Sequence, residues 1–248
     1  MTDEAVDPVE ENPEVVAAKI QKYLAEAEQA KAEASKAAAE AENAKIELEN
    51  GKILLDKTQR AYKEEMANNK YHHIYIFDDV VHDKTVTDCM RTLDIWRRTD
   101  PGCDIEVRFT SPGGEVLSGM SLFDYLLGLR RDGHHLTTSA YGYAASMAGI
   151  LLQAGDTRVV GKESYILIHE ISTAIRGKIG DIEDEVEFIK KIQDRVLEIF
   201  ADRAKLAGAN GTANKPLNKR DFKKNWNRRD WWLTSEEALA GGVVDEVR

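Results

Sequence analysis

The chain changes character at Asn68 and Asn69, and that break limits what it can fold into more than any other feature. Residues 1–68 hold 16 acidic and 9 basic side chains, one glycine, and no Trp, Phe or His. A stretch so rich in Ala, Glu and Lys and so poor in aromatic side chains is a poor candidate for a core of its own. The first 14 residues carry six acids, no base, Pro8 and Pro13, and are expected to be a disordered acidic tail. From residue 15 to 68 the composition is dominated by helix formers and predicts a helical extension, helical from about residue 14 to 66. Within it Val16, Ile20, Tyr23, Ala27, Ala30, Ala34, Ala37, Ala41, Ala44 and Leu48 follow alternating steps of four and three, a heptad seam that Gly51 interrupts. The seam predicts a coiled coil with a copy of itself or with a partner. A single solvated helix is the simpler alternative. An unbroken helix of this length reaches about 80 Å at 1.5 Å per residue, so it is expected to project beyond a compact domain.

After Asn69 apolar runs of strand and helix period alternate. Ile74–Phe77 reads as a strand, 85–98 as a helix, 105–110 as a strand and 116–130 as a helix. Residues 136–140 read as a strand and 144–152 as a small-residue helix. Thr157–Val160 and Tyr165–Ile168 read as strands, and 181–206 as a long amphipathic helix. A short helix at 235–239 and a strand at 243–247 close the chain. The polar stretch after Gly208 gives no assignment. Repeated β-α units predict an α/β fold with a mainly parallel sheet and right-handed crossovers, over residues 69–248.

The net charge of −10 opposes a nucleic-acid binder held by phosphate contacts. The longest near-apolar run, residues 143–152, is too short to span a bilayer, so no membrane partner is expected. The polar, acidic start lacks a secretory pattern, which leads us to expect a cytoplasmic protein with free thiols at Cys89 and Cys103. The two cysteines have no metal-ligand spacing, and no metal site or cofactor is expected. His72, His73, His134 and His135 sit at element ends and read as surface residues, and His82 carries no signal.

Three segments carry chemistry. Thr110-Ser111-Pro112-Gly113-Gly114 follows a strand and precedes a helix, where paired glycines let backbone N–H groups approach a ligand. In Gly142-Tyr143-Ala144-Ala145-Ser146-Met147 a serine stands between a strand and an apolar helix, suited either to nucleophilic attack beside free N–H groups or to a plain N-cap. His169 follows the apolar run Tyr165–Ile168, at a strand end facing the crevice of an α/β fold, or else is a core histidine. A serine needs a base of this kind to become a nucleophile.

Taken together the segments resemble the proteolytic subunit of the Clp protease, ClpP. Ser111-Pro112-Gly113-Gly114 is similar to that family's SPGG loop, residues 142–147 to its G-x-A-A-S-M segment, and Ile168-His169 to its M-I-H. Glu237-Ala238 with Gly242-Val243-Val244-Asp245 is similar to its closing E-A-x-x-x-G-L-V-D. The resemblance implies a ClpP/crotonase-like β-α-β superhelix, here preceded by a long N-terminal helix. It also implies cleavage of polypeptides by a serine endopeptidase, inside stacked homo-oligomeric rings and without a cofactor. It places Ser146 as nucleophile, His169 as general base, and the N–H groups of Gly114 and Met147 as the oxyanion hole. Helix 181–206 takes the place of the handle that joins two rings. The implied partner is an AAA+ unfoldase, or a capsid or scaffold protein, since the divergent N-terminus is more like phage and prophage members of the family.

The departures concern the third triad member. Counting back without a gap from Leu233 puts Trp226 where the family has an aspartate, and a Trp cannot orient an imidazolium. Asn225 and Asn227 lie one step away, Asp221 and Asp230 are the nearby carboxylates, and residues 208–219 look like an insertion. Asn225 and Asp230 are the two candidates. Glu170 stands where the family has Gln. A catalytically inactive ring subunit is the alternative reading. An acyl-CoA enzyme on the same fold and a Ser-Lys peptidase fit the residues less well.

Overall fold

The structure, a computed structural model, describes residues 12–248, so the expectation for residues 1–11 lies outside the described residues. It forms two compact units that divide between Met66 and Ala67.

The first unit is a single helix, α1 (Pro13–Met66), with no buried residue. Asn12 starts it: its Oδ1 accepts from the Glu14 N–H at 3.1 Å and its carbonyl from the Val15 N–H at 2.9 Å. Pro13 then occupies the first helical position, where its missing N–H costs nothing. Pro13 and Glu14 are thus helical, not part of a disordered tail. The helix passes through Gly51 without a break. One exposed glycine costs only about 1 kcal/mol, and Ala, Glu and Lys surround it. Pairs such as Lys22–Glu26 and Arg60–Asp56 add a few tenths of a kcal/mol each.

The second unit is α/β. Its elements are β1 (Ile74–Phe77), α2 (Asp83–Thr99), β2 (Ile105–Ser111), α3 (Val116–Arg131), β3 (Leu136–Ala145), α4 (Met147–Leu151) with a short 3-10 turn behind it, and β4 (Thr157–Val160). Then come β5 (Tyr165–Ile168), α5 (Ile179–Ala209), α6 (Lys219–Trp226), β6 (Trp231–Thr234), α7 (Ser235–Gly241) and β7 (Glu246–Val247). Strands β1-β2-β3-β4-β7 are all parallel. The long strand β3 pairs with β2 and with two further neighbours: Thr137 to Ala140 pair with β4, while Tyr143 to Ala145 pair with β5. Its pairing with β2 slips between Phe109 and Ser111, over the same stretch in which it changes partner from β4 to β5. Strand β6 adds antiparallel to β5.

Local chemistry explains where elements start and end. In β2 every second side chain (Ile105, Val107, Phe109, Ser111) is buried, the pattern of a strand with one core face. His82 caps α2: its Nδ1 accepts from the Lys84 and Thr85 N–H groups while Thr85 Oγ1 accepts from the His82 N–H. The small-residue helix starts at Met147 and not at 144, because Ala144 and Ala145 are claimed by strand pairing to Ile166 and Leu167. The unassigned polar stretch holds α6, capped by Asn218 and Asp221 in a reciprocal box, which commits the Asp221 carboxylate to the Asn218 N–H at 3.0 Å. The closing strand is only Glu246–Val247, since the N–H groups of Val243 and Val244 turn back to the Ala238 carbonyl at the end of α7. His134 is buried, not a surface residue: only 3% exposed, with Nδ1 2.9 Å from the Cys103 carbonyl.

Helices α2, α3 and α4 and the buried half of α5 cover the sheet in one continuous core, with Phe109, Leu122, Leu126, Phe200 and Trp226 at its centre. In α5 burial begins only at Val196. Ahead of it Ile179, Val186 and Phe188 are exposed. Among the described residues no helix is long and apolar enough to cross a membrane.

Candidate active site

The turn from β3 into α4 places Ser146. Its backbone takes φ 54° and ψ −121°, a region a side chain rarely enters and that costs about 1–3 kcal/mol. Its N–H donates to the Leu167 carbonyl at 3.0 Å, which ties the turn to β5. Although Ser146 sits at the N-cap position of α4, its hydroxyl makes no capping hydrogen bond. Capping does not explain this serine. The half-buried Ser146 lines a cavity of about 230 Å³ together with Gly114, Met147, His169 and Trp226.

The glycine loop is pressed against this turn. A Cβ on Gly113 would stand 2.5 Å from the Ala145 carbonyl oxygen and 2.7 Å from both Met147 N and Ser146 Cβ, and its φ is 86°. Only glycine fits there. Ser111, buried at the end of β2, fixes the loop: its Oγ donates to the Asp79 carbonyl at 2.7 Å and accepts from the Gly113 N–H at 3.2 Å. On the other side the Val81 N–H donates to the Gly113 carbonyl and the Glu115 N–H to the Val81 carbonyl, each at 2.8 Å. These bonds use the polar groups on either side of the Gly114 N–H. Among the described residues the Gly114 and Met147 N–H groups have no acceptor, and both residues line the cavity. Unpartnered N–H groups beside a serine can hold a developing oxyanion.

His169 follows β5, the strand paired with the end of β3, so strand pairing carries it to the Ser146 side of the sheet. It is half-buried, and among the described residues its ring makes no hydrogen bond. It lines the Ser146 cavity and also a shallow depression of about 290 Å³ shared with Glu170, Arg228, Arg229 and Asp230.

The candidates for orienting His169 fall in different places. Asp230 lines this depression together with His169. Asn225 lines neither space with His169, and its Oδ1 accepts from Arg229 Nη2 at 3.2 Å. Asn227 is the exposed end of α6. Trp226 is buried, 1% exposed, and forms a wall of the Ser146 cavity. Glu170 Oε2 accepts from the Arg228 N–H at 3.1 Å, which secures the 225–230 segment beside the histidine. The sequence offered no sign of Trp226 as a cavity wall or of the Glu170 tie, because both depend on where α6 ends.

A groove of about 370 Å³ adjoins the cavity. It runs between Gly114, Val116 and Leu117 on one side and Ile171, Ser172, Phe188 and Ile192 on the other. Gly114, Val116, Ile171 and Ser172 line both spaces, so the groove leads into the cavity that Ser146 lines.

Comparison with known proteins identifies the family. The family model described as Clp protease matches residues 56–248. The chain is 32% identical over 171 residues to the ATP-dependent Clp protease proteolytic subunit of Bacteroides thetaiotaomicron, covering 67% of this chain and 70% of that protein. It is 34% identical over 152 residues to the subunit of the same name from Bacteroides fragilis, covering 60% and 65%. The matched stretch contains the whole glycine loop, the serine turn and the histidine strand, and on these grounds the chain belongs to the Clp protease family of serine-type peptidases.

Proposed function

We propose that the chain is a ClpP-type serine endopeptidase that hydrolyses polypeptides through Ser146 and His169 inside a ring of identical subunits. The observation that carries this reading is the Ser146 turn. A strained serine with no capping hydrogen bond lines one cavity together with a histidine and two residues whose N–H groups lack acceptors among the described residues. His169 accepts the Ser146 proton as Oγ attacks the peptide carbonyl, and the oxyanion is held by the Gly114 and Met147 N–H groups. His169 returns the proton to the leaving amine, and water then releases the acyl group by the same steps in reverse. Asp230 orients the imidazole in this scheme, because it shares a space with His169 while the Asn225 amide is occupied by Arg229.

The exposed apolar start of α5, with Ile179, Val186 and Phe188, supports ring-to-ring contact, since such a row is costly to leave in water. Helix α1 pairs along its alanine seam with neighbouring subunits or with a partner protein. Substrate arrives by way of an ATP-driven unfoldase, in line with the word ATP-dependent in the relatives' name, or is itself a capsid or scaffold protein. The protein then works in the cytoplasm. In an inactive ring subunit the same serine would stay unreactive.

The test is hydrolysis of a short fluorogenic peptide. The wild-type chain is expected to cleave it, and Ser146→Ala and His169→Ala to lose about 10³-fold or more in rate with the fold intact. A wild-type chain that does not cleave, or a Ser146→Ala chain that cleaves undiminished, overturns the reading.

A further inference from the structure

At the opposite end of the strands from Ser146, the segments that lead into β1, β2 and β3 meet. His73 precedes β1, Cys103 precedes β2 and His134 precedes β3, and Asp100 closes α2. The backbone joins them: the Glu106 N–H donates to the His73 carbonyl and the Ile105 N–H to the His135 carbonyl, each at 2.9 Å. Asp100-Pro101-Gly102-Cys103 is a tight turn closed by the Cys103 N–H on the Asp100 carbonyl at 3.2 Å, with Gly102 at φ 80°, the value a type II turn needs at its third residue. The turn puts the Asp100 carboxylate and the Cys103 thiol on the same side. One donor atom each of His73, Asp100 and Cys103 lies within 4.8 Å of the others.

We propose that His73, Asp100 and Cys103 bind a divalent transition-metal ion, zinc fitting best, as a clamp across the start of the sheet. The His73 Nε2 to Asp100 Oδ2 distance is 3.7 Å. A tetrahedral zinc with bonds of roughly 2.0–2.3 Å holds its donors about 3.3–3.8 Å apart, so the pair is already at the right spacing and the triad needs little closing. One imidazole, one thiolate and one carboxylate are a ligand set for zinc, and poorly suited to magnesium or calcium. A fourth position is left for water.

Two further features distinguish the cluster from an ordinary surface ion pair. His134 is buried behind it, with Nδ1 2.9 Å from the Cys103 carbonyl and 3.6 Å from Cys103 Sγ. A ring N–H aimed at a ligating sulfur and its backbone is the kind of support that sets ligand orientation in metal sites. His73 holds a strained φ of 54° and packs edge-on against Trp96 at 5.4 Å between ring centres, which fixes its ring. Binding breaks the Cys103 S–H bond and forms a sulfur–metal bond, with the proton released to solvent.

The test uses the full chain, reduced and stripped of metal with a chelator, and titrated with Co²⁺. A thiolate-to-cobalt charge-transfer band should rise to one Co²⁺ per chain and vanish when Zn²⁺ is added. Cys103→Ser should abolish the band, while Cys89→Ser, a buried thiol elsewhere, should keep it. Asp100→Asn, at an exposed position where folding is not at risk, should weaken Co²⁺ affinity about tenfold or more. No band in the wild-type chain, a band that persists in Cys103→Ser, or an unchanged affinity in Asp100→Asn overturns the proposal.

Discussion

Gly113 shows how little freedom the site has. Its backbone lies so close to the Ser146 turn that one added methyl group meets a carbonyl oxygen, an amide nitrogen and the serine itself. Gly113→Ala is therefore expected to push the glycine loop off the turn and lower peptide cleavage about 100-fold, since an error near 1 Å in position is enough for that. The comparison of kcat with and without the methyl group measures it, with circular dichroism to show that the fold survives. The third triad position is a sharper question. Asp230→Asn is expected to cost about 10³-fold or more in kcat, by analogy with loss of the orienting carboxylate elsewhere, and Asn225→Ala to cost less than about threefold. The reverse order of effects would move the role to Asn225. Ser111, Gly113, Gly114, Ser146 and His169 could be picked out as candidates in the sequence because each belongs to a contiguous segment with a definite chemical demand, and the structure brings those segments together. Asp230 could not be separated from Asn225 in the sequence, since that depends on how α6 turns its last residues.

The strands and helices of the second unit were legible where period alone decides them. Ile74–Phe77, Thr157–Val160 and Tyr165–Ile168 are strands at the residues their apolar runs mark. Long-range pairing decided the rest. Ala144 and Ala145 have the composition of a helix, yet β5 draws them into β3. Val243 and Val244 have the composition of a strand, yet the end of α7 draws their N–H groups away. The closing Val-Asp of this segment has a physical reason. Arg158, fully buried on β4, donates from Nε to Asp245 Oδ2 at 2.8 Å and from Nη2 to Oδ1 at 2.5 Å. Its Nη1 donates to Gln153 Oε1 and to the Gly242 and Val243 carbonyls. Burial pushes the Asp245 carboxyl up, but the hydrogen bonds and charge of Arg158 outweigh it and hold the group below the ordinary carboxylate range. A depressed folded pKa means stability that is complete above the unfolded value of about 3.9 and fades as pH falls through the folded value. Asp245→Asn leaves the buried guanidinium short of a counter-charge and is expected to cost about 3 kcal/mol near neutral pH, as read by urea unfolding. The gap to the wild type should narrow below about pH 4. A gap that stays constant into acid would show that Asp245 is not the group responsible.

For the molecule as a whole, α1 is a helix with no buried side chain, and it supplies no core of its own. Deleting residues 1–66 is expected to leave a domain that folds, forms rings on sedimentation and retains a reactive Ser146, while its associations change. Each alanine in the seam buries little area at about 25 cal/mol per Å², so pairing of α1 should be weak and should depend on protein concentration. A truncated chain that fails to fold, or sediments only as a monomer, would make α1 part of the core assembly. The helix was legible from composition, but the spacing of its alanines carries no information about which chain, if any, it faces. The most direct measurement on the central claim is the site of attack by a fluorophosphonate, which labels only a serine activated by its surroundings. Treatment of the full-length protein and mapping of the adduct by mass spectrometry should find a single modified residue, Ser146, and His169→Ala should remove the label. An unlabelled wild-type protein, or an adduct on any other serine, would contradict the account.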